Sequence, residues 1–135
     1  MRGAAGKRRQ AGPAAEHLQV GERGEVEALF FLRREGFVVV ESRWRSPEHN
    51  GDVDLIAWDG TTLCFVEVKT RRSRGTTPAA SAVNAAKQRM LREMKASYVR
   101  TLPAQERAEV ITRFDVVSVY LMGDDVQCEL VRDAF

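Results

Sequence analysis

Gly51-Asp52-Val53-Asp54-Leu55-Ile56-Ala57-Trp58 and Leu63-Cys64-Phe65-Val66-Glu67-Val68-Lys69-Thr70 flank a short stretch, Asp59-Gly60-Thr61-Thr62. Two apolar, β-branched runs around turn residues read as one β-hairpin. Side chains alternate along a strand, so Asp52, Asp54, Ile56 and Trp58 share one face, and Leu63, Phe65, Glu67 and Lys69 share the matching face of the partner. A four-residue turn sets Asp54 opposite Glu67, with Cβ atoms about 5 Å apart. Like charges facing each other across a ladder are destabilising. The pattern therefore predicts a cation between them, and Mg²⁺, which takes carboxylate oxygens and needs only one or two from the protein, fits that description. Lys69 points to the same place. It cannot ligate a cation while charged, but it can hold an attacking water or neutralise charge growing on a phosphate. Two acids and a lysine on adjacent strands suit metal-assisted hydrolysis of a phosphodiester.

Asp54 followed by Glu67-Val68-Lys69 resembles the PD-(D/E)XK nuclease superfamily. More closely, four motifs in order resemble the small bacterial YraN-type proteins, a group similar to archaeal Holliday-junction resolvases. These are Gly24-Glu25 opening a helix, Gly51 to Ala57, Phe65 to Arg71, and Arg113-Phe114-Asp115-Val116-Val117. The resemblance runs from about Gly21 to Phe135. It implies a restriction-endonuclease-like fold and Mg²⁺ or Mn²⁺ held by Asp54, Glu67 and the backbone carbonyl of Val68. It also implies a helix-borne acid, Glu25, that completes the site, and a basic residue, Lys87, on a second helix. The sequence departs from the family pattern twice: Asp52 stands where Glu is usual, and Arg43 where an Asn is usual near the end of the first strand.

Outward from the hairpin, residues 1–18 read as a disordered basic tail and residues 19–135 as one nuclease-like domain. A helix is expected from about Val20 to Glu35, stopped by Gly36, with Val26, Leu29, Phe30 and Leu32 on its buried face. Glu25 shares that face; its plain structural reading is an acid favoured by the helix dipole. Phe37 to Trp44 reads as the first strand, and Ser46 to Gly51 as a loop. Arg71 to Thr77 reads as a basic loop and Pro78 to about Leu102 as a helix. On that helix Lys87 interrupts an apolar stripe, where its stem alone would account for it by snorkelling. Phe114 to Leu121 and Val126 to Val131 read as the last strands. The expected class is α/β, a three-layer fold of order αβββαββ, with a central mixed sheet and one helix against each face or both near the active-site end.

The chain of 135 residues is long enough for one core, and no apolar run suffices to cross a membrane. No secretory h-region precedes Pro13, so a cytoplasmic location is expected. Cys64 and Cys128 read as free thiols in strands, His17 and His49 lack partners for a zinc site, and Asp115 reads as structural. The net charge of +2 conceals an asymmetry. Lys69 to Arg100 carries nine basic residues against Glu93 alone, whereas Thr101 to Phe135 carries three basic residues against seven acids. Basic charge following directly on the acid–lysine motif predicts a polyanionic partner, with Arg71, Arg72, Arg74, Lys87 and Arg89 holding its backbone. The plain alternative is a solvated helix face.

The reading is a metal-dependent endonuclease-like protein acting on nucleic acid, with DNA, including branched DNA, as the expected substrate. Its rival is a binding or scaffolding module that keeps the nuclease fold without the chemistry, since fold alone does not fix activity. Junction resolvases work as symmetric dimers, so the resemblance also implies a homodimer, with the C-terminal strands offering an edge.

Overall fold

The hairpin forms the middle of a five-stranded sheet. In the computed structural model, which describes residues 13–72 and 83–135, the elements are α1 (Pro13–Arg34), β1 (Val38–Trp44), β2 (Val53–Asp59), β3 (Thr62–Arg71), α2 (Ala85–Val99), α3 (Ala104–Glu109), β4 (Ile111–Met122) and β5 (Asp125–Val131). The strands lie in sequence order across the sheet. All neighbours are antiparallel except β3 and β4, which run parallel and so require the helical crossover through α2 and α3. The turn closes with Asp59 paired to Thr62 and Gly60 at φ +62°, a left-handed conformation that glycine adopts without a Cβ penalty.

The alternation that suggested the hairpin sorts the core into two layers. Leu55, Ala57, Cys64 and Val66, with Val117 and Val119 of β4, pack against Ala28 and Leu32 of α1. On the opposite face Ile56, Leu63, Phe65, Phe114 and Val116 pack against Leu91, Met94 and Tyr98 of α2. Each fully buried side chain of this size contributes about 1.5–3 kcal/mol of burial free energy. The expected three-layer α/β architecture is present, with one helix on each face.

Several boundaries differ from the sequence-based expectation. Within the described residues the first helix already runs from Pro13, ahead of Val20, so Gly24-Glu25 sits inside it rather than opening it. The expected start of the second helix at Pro78 lies outside the described residues, as do residues 1–12 of the tail expected over residues 1–18; residues 13–18 lie in α1. Within the described residues α2 starts after Asn84, whose side chain accepts from the Lys87 backbone N–H at 2.9 Å, and it ends at Val99. The short α3 was not expected; Pro103 stands at its N-cap position.

Two contacts position the site. A Cβ added at Gly24 would land inside the Thr70 side chain, so α1 crosses β3 at glycine-only distance. That crossing brings Glu25 to the end of the sheet where Glu67 and Lys69 stand. At the other end, Arg113 binds both oxygens of the fully buried Asp115 at 2.8 and 2.9 Å and reaches Asp59 at 2.8 Å. The Asp133 N–H donates to Asp115 as well, tying the C-terminus to β4.

Candidate active site

The β2–β3 register pairs Leu55 with Val66, and its continuation brings Asp54 to Glu67. The Val68 backbone N–H donates to Asp54 Oδ2 at 2.8 Å, so the carboxylate takes an amide of the neighbouring strand. Glu67 is only 3% exposed. Lys69 Nζ lies 3.3 Å and Lys87 Nζ 3.6 Å from its Oε2. Its other oxygen, Oε1, is buried with no hydrogen-bond partner. A buried carboxylate oxygen without a donor is costly.

Asp54 carries the consequence. Burial, followed by the negative charge of Glu67, pushes its carboxyl up to about 8; the Val68 N–H opposes the shift, while a side-chain hydrogen bond shared with Glu67 and the more distant Glu25 add to it. Without a cation between them, the two carboxyls therefore resist full ionisation at neutral pH.

The structure brings together Asp54, Glu67, Lys69 and Lys87. Glu25 belongs to their electrostatic surroundings but not to their hydrogen-bonded cluster. Its Oε1 accepts from Arg43 Nε at 2.6 Å, and Glu22 lies 3.5 Å from the same guanidinium. Among the described residues no three acids, histidines or cysteines are grouped closely enough to hold one metal ion. Glu25, expected to join the two strand acids, is instead paired with Arg43 in this arrangement. Arg43 adopts φ +50°, a left-handed conformation that Asn enters more readily than Arg. The Asn that the resemblance leads one to expect there suits the backbone; the Arg tolerates it while holding two acids.

The remaining basic residues are placed unevenly. Arg71 is half-buried at the end of β3, and its Nε has no partner. Arg72 and Arg89 are exposed. Arg74 lies outside the described residues. His49 sits 3.7 Å from Glu93 of α2, while Ser46 and Ser97 share a hydrogen bond at 2.8 Å, so the loop before β2 is fastened to α2.

A family model described as "Uncharacterised protein family UPF0102" matches residues 24–119. The chain belongs to the UPF0102 family. Its relatives include a UPF0102 protein of Koribacter versatilis, 41% identical over 89% of this chain and 81% of that one. A UPF0102 protein of Rhodococcus jostii is 42% identical over 90% of this chain and 99% of its own length, and one of Symbiobacterium thermophilum is 41% identical over 87% and 96%. In this UPF0102 protein the matched stretch opens at Gly24, where α1 meets Thr70, and includes Glu25, Asp54, Glu67, Lys69 and Lys87.

Sequence reasoning missed two residues near this UPF0102 site. Arg43 was noticed only as a departure from a pattern, and nothing in its residue type announces a left-handed backbone. Ser118 was overlooked in the run Val116 to Leu121, where it is the one small hydroxyl among apolar side chains. That interruption was the available signal.

Proposed function

We propose that this UPF0102 protein is a divalent-metal-dependent nuclease that hydrolyses phosphodiesters of nucleic acid, with DNA as the substrate. The observation that carries the reading is the buried Asp54–Glu67 pair with one orphaned oxygen, bracketed by two lysines. Hard carboxylate oxygens at the mouth of a basic surface fit Mg²⁺ or Mn²⁺. Asp54 and Glu67, with the Val68 carbonyl, would hold the cation. When bound, a divalent cation polarises a phosphate and stabilises charge that develops on it.

The chain's own groups would supply the rest. Lys69, beside Glu67 and one-third exposed, orients the attacking water and neutralises negative charge in the transition state. Lys87 holds Glu67 from the α2 side and adds a second positive charge facing the phosphate. Arg71, Arg72 and Arg89 contact the flanking backbone without reading bases. Two copies pairing their basic faces would give the two cuts a branched substrate needs, which sedimentation at micromolar concentration tests directly.

The rival reading, a binding module without catalysis, is favoured by one observation: Arg43 keeps Glu25 paired, so the cluster has two acids instead of three. Calorimetric titration of Mn²⁺, paired with Mn²⁺-dependent cleavage of junction, flap, single-stranded and linear substrates, separates the two. Binding that needs both Asp54 and Glu67, together with cleavage, supports the nuclease; nucleic-acid binding with neither metal uptake nor cleavage supports the module. No helix among the described residues is long and apolar enough to cross a membrane.

A further inference from the structure

Three buried polar atoms in the described residues lack a hydrogen-bond partner: Glu67 Oε1, Arg71 Nε and Ser118 Oγ. They are neighbours on one face of the sheet. Glu67, Lys69 and Arg71 alternate along β3, so all three side chains leave on the α2 side. In the parallel register Lys69 pairs with Ser118 and Arg71 with Tyr120. Partners in adjacent strands share a face and stand about 4.8 Å apart. Ser118 therefore lies directly beside Lys69, one strand further from Asp54. It is 0% exposed, in a strand whose neighbours Val117 and Val119 are plain core.

A buried hydroxyl with no partner destabilises a fold. Here the unpartnered atoms differ in kind. Glu67 Oε1 is an acceptor, and its side of the site is accounted for by a cation. Arg71 Nε–H is a donor only, Ser118 Oγ–H is a ready donor, and the Lys69 ammonium has more protons than its contact with Glu67 uses. Donors that the register sets side by side, with no acceptor between them, suit an oxyanion. Residues two apart on a strand are displaced by about 6.6 Å, so this group lies beside the acid pair rather than on it. That is the place of the next phosphate along a strand whose scissile phosphate sits at Asp54 and Glu67. One carboxylate stands close by: Glu129, opposite Ser118 on β5, is exposed and lies 3.4 Å from the Tyr120 hydroxyl. It bounds the subsite on its outer side.

We propose that Ser118, Arg71 and Lys69 form a subsite for the phosphate adjacent to the scissile one in a nucleic-acid strand. The proposal rests on the nuclease reading and adds a donor, Ser118, that the reading did not use. The hydroxyl is retained at a cost to the empty protein because it is satisfied when a phosphate enters beside Lys69.

The test uses the full chain and fluorescence anisotropy with a short labelled DNA strand and an RNA strand of the same sequence, in Ca²⁺. Ser118→Ala is expected to weaken binding about tenfold, the loss for one hydrogen bond to a charged group, without changing the salt dependence. Arg71→Met is expected to weaken binding and lower the salt slope by about 0.7, the release of counterions from one single-strand phosphate contact. Mn²⁺ affinity by calorimetry is expected to be unchanged in Ser118→Ala, and its thermal midpoint unchanged or higher. Equal losses on both strands support recognition of phosphate alone; a larger loss on one identifies the preferred polymer and supports the subsite too. Undiminished strand binding by Ser118→Ala overturns the subsite while leaving the nuclease reading in place. A matching loss of Mn²⁺ affinity also overturns it, since Ser118 would then act by supporting Glu67. A wild-type protein that binds neither strand overturns both.

Discussion

Replacing Asp54 by Asn removes an ionisable group from the acid pair while keeping the shape of the side chain. In the metal-free protein Asp54 titrates at about 8 in the fold against 3.8 for the free side chain. Between those values the unfolded chain has released a proton that the folded chain still holds. The folded state therefore binds more protons, and stability falls as pH rises through that window. At pH 7 the shift corresponds to a ceiling of about 4 kcal/mol, at 1.36 kcal/mol for each pH unit above 3.8. Lys69 and Lys87 beside Glu67, and relaxation of the pair on ionisation, reduce this to about 2 kcal/mol. Asp54→Asn carries no such penalty, and its amide can donate to the orphaned Glu67 oxygen while its carbonyl keeps the Val68 N–H. The variant is expected to melt about 6–10 °C above the wild type at pH 7 without metal, with the gap closing toward pH 4. Saturating Mn²⁺ is expected to raise the wild-type midpoint and leave that of the variant unmoved. Scanning calorimetry of both proteins from pH 4 to pH 8, with and without Mn²⁺, measures all of this. A variant that melts at or below the wild type at every pH would refute the strained acid pair.

Lys69→Met is expected to leave Mn²⁺ binding nearly intact and to slow single-turnover cleavage by on the order of a hundredfold, the loss typical of one electrostatic group at a reacting centre; equal rates would remove Lys69 from the chemistry. Asp115→Ala leaves Arg113 without its buried partner and is expected to cost about 3–5 kcal/mol in urea denaturation, with a loss below about 1 kcal/mol counting against the network. Arg43→Asn exchanges a partly exposed ion pair for relief of a left-handed Arg, two effects of about 1 kcal/mol each and of opposite sign, so its urea midpoint is expected to stay close to the wild type. A midpoint loss equivalent to more than about 2 kcal/mol would show that the guanidinium does more for the fold than hold Glu25 and Glu22.

The hairpin was readable because two strands with period-two alternation flank a turn whose length fixes their register, and register alone places Asp54 against Glu67. Lys87 stood out because it interrupts an apolar helical stripe, but its contact with Glu67 was not legible, since snorkelling alone would account for a lysine there. Glu25 was harder. Its position on the helix face is a matter of spacing, but whether it reaches the strand acids depends on Arg43, whose backbone conformation no residue type encodes. The start of α1 escaped because Ala14, Ala15 and Glu16 form no amphipathic stripe from which a helix would be inferred. The unpartnered Ser118 emerges only from the parallel β3–β4 register, which joins segments far apart in sequence and has no local signature.

The acid pair belongs to a local hairpin of the sheet, with Asp54 and Val68 only 14 positions apart. The β3–β4 pairing that completes the middle of the sheet must wait for the whole α2–α3 connection. Hairpins close in microseconds, whereas distant pairings carry the larger entropic barrier. Any partly folded chain that contains the hairpin therefore already bears the repulsion of Asp54 and Glu67, before α2 brings Lys87 to relieve it. The charge that serves the finished site is a kinetic burden on the nascent one, and a divalent ion is expected to act on folding as a catalyst's cofactor rarely does. Refolding followed by stopped-flow fluorescence is expected to accelerate with Mn²⁺ in the wild type and not in Asp54→Asn; identical rates in all four conditions would place the meeting of the two acids after the rate-limiting step.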